Sequence, residues 1–313
     1  MRRLIVNADD FGLTSGVNQA IAEAHHHGVV TSTTLMAGGR AFDGAVQIAG
    51  ANPKLGVGCH IVLVDGQPVG RPEQVRSLLA PANMPRLPLR RKSVRRVSAT
   101  MSPQNAFYDG FGHIALRSMR GKLSSEQIQE EVVSQIQKLQ HAGIDVTHVD
   151  AHKHTHMLPQ VAGAIMRAAS SCGVQAIRNP FVPLTSLVLL HVARRPKLWK
   201  RFSEVALLRK YHDSFRRQAS ANGMSTTEGS FGVVITGALN EDLFRAVVES
   251  IPEGTWEFVC HPGYNDDELS HVRTRLRESR AKELAVLTAP WARQILDEHK
   301  VQLISYRDLV ANG

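Results

Sequence analysis

Short apolar segments alternate with helix-like segments along almost the whole chain, and this alternation is the strongest constraint on its fold. The first apolar segment, RLIVNA from Arg3 to Ala8, is followed by a helical pattern that begins near Thr14 or Ser15 and stops at Gly28. The other strand-like segments are STTLMA, LGVGCHIVL, DVTHVDAH, QAIRN, WEFVCHP and VQLISY. Helical patterns cover residues 42–51, 125–142, 159–172, 241–250 and 272–299. Alternating strands and helices predict a parallel sheet with helices packed outside it.

The number of these units indicates how the sheet is arranged. Six to eight strand–helix units in one chain favour a barrel over an open sheet, so we predict an α/β fold, a distorted TIM-like (β/α) barrel of about seven or eight parallel strands. The chain has 313 residues, enough for one such barrel or for two average domains, and it shows no internal repeat and no clear linker. We therefore predict one domain over 1–313, with insertions at about 65–122 and 180–231.

The apolar runs and the cysteines of the chain indicate in which cellular compartment it is located. The apolar run at the N-terminus ends at Asn7, which is too short for a secretory signal, and no segment approaches the ~20 apolar residues that span a bilayer. Three widely spaced cysteines indicate reduced, buried thiols rather than a disulfide framework. We expect a cytoplasmic protein. Lys and Arg exceed Asp and Glu by 37 to 28, a formal charge of +9, so anionic partners have to be considered.

Histidines are concentrated in one short segment. HVDAHKHTH, from His148 to His156, holds four of the 15 histidines of the chain. In an extended strand Asp150, His152, His154 and His156 would share one face, because side chains alternate between the two faces. A divalent cation is one means of holding several imidazoles together, since imidazole and carboxylate are good ligands. Surface imidazoles, or a polar pocket without a metal, stay open as alternatives.

Other polar residues fall where predicted strands end. Asp9 and Asp10 follow the first strand, His60 lies late in LGVGCHIVL, and His261 ends WEFVCHP. The carboxyl ends of parallel strands meet at one edge of the sheet, where active sites of such folds lie. We therefore expect these side chains to converge on one rim with the histidine-rich segment.

Two cysteines directly precede histidines of this set. Cys59 precedes His60, and Cys260 precedes His261. Adjacent strand residues point to opposite faces, so each pair does not easily bind one ion. We predict that both thiols face the helices as packing residues.

Several motifs occur together in an order that resembles a known family. NADDFG, TSTTLM, GCH, HVDAHKHTH and CHPGY follow one another as they do in the YdjC-like carbohydrate deacetylases. VLVDGQPV and the AHKH variant look most like the hopanoid-biosynthesis branch, HpnK. The resemblance implies a metal-dependent N-deacetylase acting on an acetylated amino sugar, with the N-acetylglucosaminyl headgroup of a hopanoid lipid as substrate. The sister branch implies acetylated chitooligosaccharides instead.

The resemblance also implies roles for individual residues. It implies three ligands for a divalent ion, Mg²⁺ or Zn²⁺, and these are Asp10, His60 and His152. Asp9 would be the general base and His261 the general acid. Four residues would contact the substrate: His154, His156, Arg178 and Tyr264. For His154 and His156, a role in supporting the metal ligands is the alternative.

Two basic segments raise further alternatives. The segment from Leu184 to Tyr211 mixes apolar and basic residues around Trp199, and it could pack on the barrel or contact an anionic membrane surface. Next to a glycolipid substrate, we favour peripheral contact with the inner face of the membrane; a homodimer also stays open. The arginine run RLPLRRKSVRR prompts a nucleic-acid module, but aromatic residues are only 5% and no stacking platform is visible, so we predict no nucleic-acid partner. A metal-dependent phosphoesterase is the remaining rival.

Overall fold

A curled parallel sheet lies at the centre of the computed structural model, which describes residues 1–82, 105–183, 199, 203 and 206–311. The strands are β1 (Arg2–Phe11), β2 (Ser32–Leu35), β3 (Gly56–Ile61), β4 (Val149–Ala151), β5 (Ser230–Phe231), β6 (Gly254–Cys260) and β7 (Val301–Leu303). They lie in the order β4-β3-β2-β1-β6-β5, β7 also pairs with β1, and all these pairs are parallel. The predicted α/β class with a parallel sheet is confirmed.

Helices follow most strands and cover the sheet. They are α1 (Ser15–His26), α2 (Phe42–Ala51), α3 (Gly110–Met119), α4 (Ser125–His141), α5 (Pro159–Ser171), α6 (His212–Ala221), α7 (Glu241–Ser250), α8 (Asp267–Ser270), α9 (Glu278–Thr288), α10 (Pro290–Glu298) and α11 (Tyr306–Ala311). Thr14 caps α1, because its hydroxyl accepts a hydrogen bond from the Val17 amide at 3.2 Å. The predicted helix over 272–299 is wrong as a single element. Ala289 is extended before Pro290, which separates α9 from α10.

Strand β1 is the centre of the sheet because three strands pair with it. Along one edge, β6 pairs with residues 2–8 of β1. Along the other edge, β7 pairs with residues 2–4 and β2 pairs with residues 7–11. The end of β1 therefore lies among the carboxyl ends of its neighbours, as the sequence predicted.

The two faces of β1 have different surroundings. Leu4, Val6 and Ala8 belong to the large apolar core between the sheet and the helices. Ile5 belongs to a small apolar cluster with Tyr306 on the concave face. Beyond Ile5, the residues of the same parity are polar, so the concave side changes from apolar to polar toward the carboxyl end of the strand. The predicted orientation of the cysteines is confirmed, since Cys59 and Cys260 both belong to the large core.

An irregular segment lies between the two ends of the sheet. The predicted strand QAIRN forms isolated bridges, Val149 with Ile177 and Ala176 with Ser225. A little further on, the Ser230 amide donates to the Phe181 carbonyl at 3.1 Å. The described residues thus form a curled half-barrel, and closure into a TIM-like barrel of seven or eight strands stays a prediction.

Parts of both predicted insertions lie outside the described residues. These parts are 83–104, with the whole arginine run, and 184–198 with most of 199–205. In the described ranges, no helix is both long and apolar enough to cross a membrane.

A glycine in β3 tests the packing under the concave face. A Cβ atom at Gly58 would lie 2.5 Å from Cε1 of His148 and 2.6 Å from its carbonyl oxygen. Gly58→Ala should therefore lower the free energy of unfolding by about 1–3 kcal/mol, the usual cost of overpacking a core. Chemical denaturation of the purified protein measures it.

Gly50 provides the matched control. It lies exposed in α2, and an added Cβ would meet nothing within 4 Å. Gly50→Ala should be neutral or should raise the free energy of unfolding by up to ~1 kcal/mol, because alanine favours a helix. Equal effects of the two substitutions would contradict the packing described for Gly58.

Candidate active site

Two consecutive aspartates at the end of β1 both reach the concave side of the sheet. Neighbouring strand residues normally face opposite ways, but the register of β1 with β2 shifts between Ala8 and Phe11, and Asp10 has a left-handed backbone (φ 70°). This bulge re-aims Asp10 so that its carboxylate lies near that of Asp9. Both side chains are buried, at 2% and 4% exposure.

Asp10 lies beside two histidines in a geometry that fits a metal ion. Its Oδ1 atom is 3.5 Å from Nε2 of His60 and 3.5 Å from Nδ1 of His152, and the two nitrogens are 3.2 Å apart. Ligand atoms of a tetrahedral zinc site, with bonds of about 2.0–2.1 Å, are roughly 3.3–3.4 Å apart. Asp10, His60 and His152 therefore fit a divalent cation, and a site with three protein ligands keeps a position for water or substrate.

His60 is oriented by a further carboxylate. Its Nδ1 atom is 2.7 Å from Oδ1 of Asp150, so Nδ1 donates to this carboxylate and Nε2 faces Asp10 and His152. Burial lowers the pKa of His60, but the charges of Asp150, Asp9 and Asp10 raise it to about 9. These carboxylates favour a positive charge at this place, which a cation site requires.

His152 reaches the site through a tight turn. Strand β4 ends at Ala151, and His152–Met157 form a 3-10 turn with left-handed Lys153 and His154 (φ 53° and 54°). The predicted common strand face of residues 150–156 is therefore wrong, because the extended backbone stops before His152.

A second group of potential ligands, Asp9, His60 and Asp150, also has ligand atoms within 4.8 Å of one another. Its two carboxylates are already paired with a guanidinium. Nη1 of Arg178 is 2.5 Å from Oδ2 of Asp150, and its two Nη atoms donate to Asp9 at 2.6 and 2.9 Å. Asp10 and the two histidines are therefore the group with ligand atoms better able to hold a cation.

Arg178 is surrounded by three carboxylates. Besides Asp9 and Asp150, it donates from Nε to Glu257 Oε1 at 2.8 Å, and its side chain is fully buried. Burial alone would raise the pKa of Asp9, but the charge and hydrogen bonds of Arg178 outweigh it and hold that pKa well below its usual range. Asp9 is therefore ionised at neutral pH.

The polar network continues away from the rim. The Tyr306 hydroxyl donates to Glu257 Oε2 at 2.8 Å, and the Tyr306 ring stacks on His148 with centroids 3.6 Å apart. His148 Nε2 is 3.2 Å from the Asn7 side-chain oxygen, and Asn7 donates to Asp9 at 3.0 Å. Burial raises the pKa of Glu257 to about 7, although Arg178 opposes that shift. Asp9 is thus fixed from two directions.

His261 lies between two carboxylates. Its Nε2 is 3.8 Å from Oδ2 of Asp9, and its Nδ1 is 4.0 Å from Oε2 of Glu283 in α9. Glu283 also accepts hydrogen bonds from the backbone amides of His261 at 2.7 Å and Gly237 at 2.9 Å. Burial raises the pKa of Glu283. The imidazole therefore sits next to Asp9 with a fixed backbone.

The four residues predicted to contact substrate are placed differently. Arg178 and His156 are fully buried, and burial, together with the charges of Arg178 and His60, lowers the pKa of His156 to about 3. Neither side chain has surface to offer a substrate in this conformation. His154 is partly buried, and Tyr264 is 38% exposed with its hydroxyl on Glu23 of α1. Substrate contact by His154 and Tyr264 stays a prediction.

Two residues of α9 contact the site although the sequence motifs do not include them. Arg280 contacts Asp10, and Glu283 contacts His261. Both are almost fully buried although they belong to a helix rich in charged residues. Arg280 and Glu283 are three positions apart and therefore lie on one helix face, which is the one feature of the sequence that could have predicted their common role. Charged pairs at this spacing are usually solvated, however, so the pattern alone does not indicate burial.

Substitution of the buried guanidinium tests its role. Arg178→Gln would leave three carboxylates without their shared cation, so we expect the free energy of unfolding to fall by about 3–5 kcal/mol. Urea denaturation measures this change.

Arg216→Gln is the control, because the Arg216–Glu228 pair is about half exposed. It should change the free energy of unfolding by less than about 1 kcal/mol. A loss in Arg178→Gln no larger than this would show that the buried carboxylates do not depend on Arg178.

The chain is similar to known proteins over nearly its whole length. The model of the YdjC-like protein family matches residues 3–298. A carbohydrate deacetylase from Geobacillus stearothermophilus is 30% identical over 308 residues, covering 98% of both chains. A carbohydrate deacetylase from Brevibacillus brevis is 28% identical, covering 98% of this chain and 99% of the relative. A crystal structure from Enterococcus faecalis, of a candidate cellobiose-phosphate cleavage protein, has the same fold, with a TM-score of 0.74, 22% identity and 98% coverage of both chains.

Proposed function

Because the chain belongs to the YdjC-like protein family, we propose that it is a carbohydrate deacetylase, a hydrolase that cleaves the amide bond between an acetyl group and an amino sugar. The observation that carries the proposal is the convergence of Asp10, His60 and His152, with ligand atoms 3.2–3.5 Å apart, next to Asp9 and His261. Relatives that match nearly the whole chain bear the same activity in their names.

Amide hydrolysis needs an activated water and a proton for the leaving nitrogen. Held by Asp10, His60 and His152, a divalent cation would polarise the acyl oxygen and make a water more acidic. One carboxylate and two imidazoles suit Zn²⁺, and with further water ligands they also suit Mg²⁺.

Asp9 is proposed to take the proton of the attacking water. Arg178 keeps it ionised and holds both of its oxygens, so the carboxylate is available as a base in a fixed direction. Arg178 acts here as a positioning residue, because it is fully buried and has no access to substrate.

His261 is proposed to protonate the sugar nitrogen as the carbon–nitrogen bond breaks. Glu283 fixes its backbone, which directs Nε2 toward Asp9. The products are acetate and a free amine. Asp9 ends the cycle with a proton and His261 without one, and a distance of 3.8 Å between the two groups allows the proton to return.

Acetate release and its dependence on a cation test this proposal. The purified protein should release acetate from N-acetylated amino sugars, exhaustive chelation should abolish the reaction, and added Zn²⁺ or Mg²⁺ should restore it. His152→Ala should abolish activity and weaken cation binding without unfolding the protein, because His152 is a partly exposed ligand (side chain 23% exposed) outside the buried strands. Mass spectrometry of the substrate, with calorimetric titration of the ion, gives both readouts.

His26→Ala is the matched control, since His26 is an exposed histidine at the end of α1. It should leave both activity and cation affinity unchanged. Full activity after exhaustive chelation would contradict the proposed metal dependence. Release of phosphate from a phosphate ester, without release of acetate from the N-acetylated sugars, would favour the phosphoesterase alternative.

For the substrate, we propose the N-acetylglucosaminyl headgroup of a hopanoid lipid, with acetylated chitooligosaccharides as the alternative. The two motifs that resemble the hopanoid branch contact each other, because Lys153 of AHKH donates to Asp65 of VLVDGQPV at 2.5 Å. Lys153 directly follows the proposed ligand His152, so this pair joins the branch-like motifs to the site.

We also propose peripheral membrane contact through residues 184–211. Most of this segment lies outside the described residues, so the proposal rests mainly on its basic and apolar sequence. Two described members support it, since Trp199 is 54% exposed and Leu207 is 68% exposed.

One assay examines both substrate and surface. Vesicles containing anionic lipid and an N-acetylglucosaminyl lipid should sediment with the protein at low salt and should lose acetyl groups faster than soluble diacetylchitobiose. Salt should weaken the association, because the segment is basic. Indifference to both anionic lipid and salt would refute membrane contact, and a preference for diacetylchitobiose would favour the alternative substrate.

A further inference from the structure

We propose that Arg280 is a positioning residue for Asp10: it binds one carboxylate oxygen so that Asp10 presents only the other to the cation site. The proposal rests on the function proposed above. It assigns a role to α9 that the sequence motifs do not include.

The two oxygens of Asp10 face different partners. Nη2 of Arg280 is 2.5 Å from Oδ2, whereas Oδ1 is the oxygen that lies 3.5 Å from both His60 and His152. Within the described ranges, the polar partners of the Asp10 carboxylate are Arg280, His60 and His152. Arg280 thus engages the oxygen that points away from the histidines.

Asp10 needs such a contact more than His60 does. His60 is already oriented by Asp150, because the hydrogen bond at Nδ1 fixes the direction of Nε2. Asp10 stands at a bulge, and the terminal torsion of an aspartate is broad, so its carboxylate could otherwise turn. A free carboxylate can bind a cation through one oxygen or two. Arg280 favours one oxygen and leaves more of the cation open to water and substrate.

The fold makes room for Arg280 at a glycine of the CHPGY motif. A Cβ atom at Gly263 would lie 2.9 Å from Cδ of Arg280 and 3.3 Å from its Cβ. The side chain runs past this glycine with 1% exposure, and its Nε donates to the Leu276 carbonyl at 3.3 Å. The absence of a side chain at position 263 is therefore part of how Arg280 reaches Asp10.

Arg280 differs from Arg178 in how fully its donors are used. Arg178 reaches three carboxylates from its three nitrogens. Arg280 uses Nη2 and Nε, while Nη1 is buried with no hydrogen-bond partner among the described residues. An unsatisfied buried donor costs stability, so satisfaction of its own donors does not explain why Arg280 is buried here.

The simpler alternative is that Arg280 only compensates the charge of Asp10. A lysine would provide that compensation, since it carries the same charge. It would not reproduce the planar guanidinium, which fixes the direction of its donors. The lysine variant therefore separates positioning from charge.

Cation affinity is the measurement that tests the proposal. The metal-free protein is titrated with Zn²⁺ in competition with a chromophoric chelator, for wild type, Arg280→Met, Arg280→Lys and Lys282→Met. Substitution of a residue that orients a metal ligand weakens metal binding by about 10–100-fold, and we expect a loss of this size in Arg280→Met, with only part of it recovered in Arg280→Lys. Lys282 is an exposed residue of the same helix, and Lys282→Met should bind as wild type does.

Gly263→Ala keeps every charge but displaces the Arg280 side chain. It should also weaken Zn²⁺ binding, and with Arg280→Lys it decides the question if Arg280→Met fails to fold by circular dichroism. Wild-type affinity in Arg280→Lys and Gly263→Ala, or an equal loss in Lys282→Met, would overturn the positioning role alone. Failure of the wild-type protein to bind a divalent cation would overturn the proposed function together with this inference.

Discussion

One fully buried guanidinium, that of Arg178, determines where the rest of the site can lie. It binds carboxylates from β1, β4 and β6, three strands that are far apart in the sequence. An unpaired charge in a protein interior is very costly, so Asp9, Asp150 and Glu257 are stable only where they can share this cation. The curled sheet therefore has to bring these three strands together, and the concave face is polar around Arg178 for that reason.

Three groups of the proposed site are each held in place by a contact with another charged side chain. Asp150 orients His60, Arg178 orients Asp9, and Glu283 fixes the backbone of His261. Such contacts keep acids, bases and ligands within a narrow range of directions. The sheet and helix α9 contribute different groups to this site. Strands β1 and β3 and the turn after β4 carry the proposed ligands, and β1 carries the proposed base. Helix α9 carries Arg280 and Glu283, which contact Asp10 and His261 respectively.

The sequence predicted the elements better than the local geometry. The helical patterns at 42–51 and 241–250 coincide with α2 and α7, since apolar periodicity there agrees with burial. The convergence of strand ends was also predictable, because it follows from parallel topology. The left-handed conformations of Asp10 and His154 were not, because no glycine marks them. The partners of buried arginines are equally invisible in sequence, since they come from distant segments.

The pairing of β1 has a consequence for how the polypeptide acquires its fold. Arg2, at the start of β1, pairs with Gly254 and Val301, so two of its strand pairs join segments that are very far apart in the sequence. Residues 2–4 of β1 therefore have no strand partner on one edge until β6 has been synthesised, and none on the other until β7 has been synthesised. Contacts of such high sequence separation slow folding and expose an apolar strand edge in the meantime.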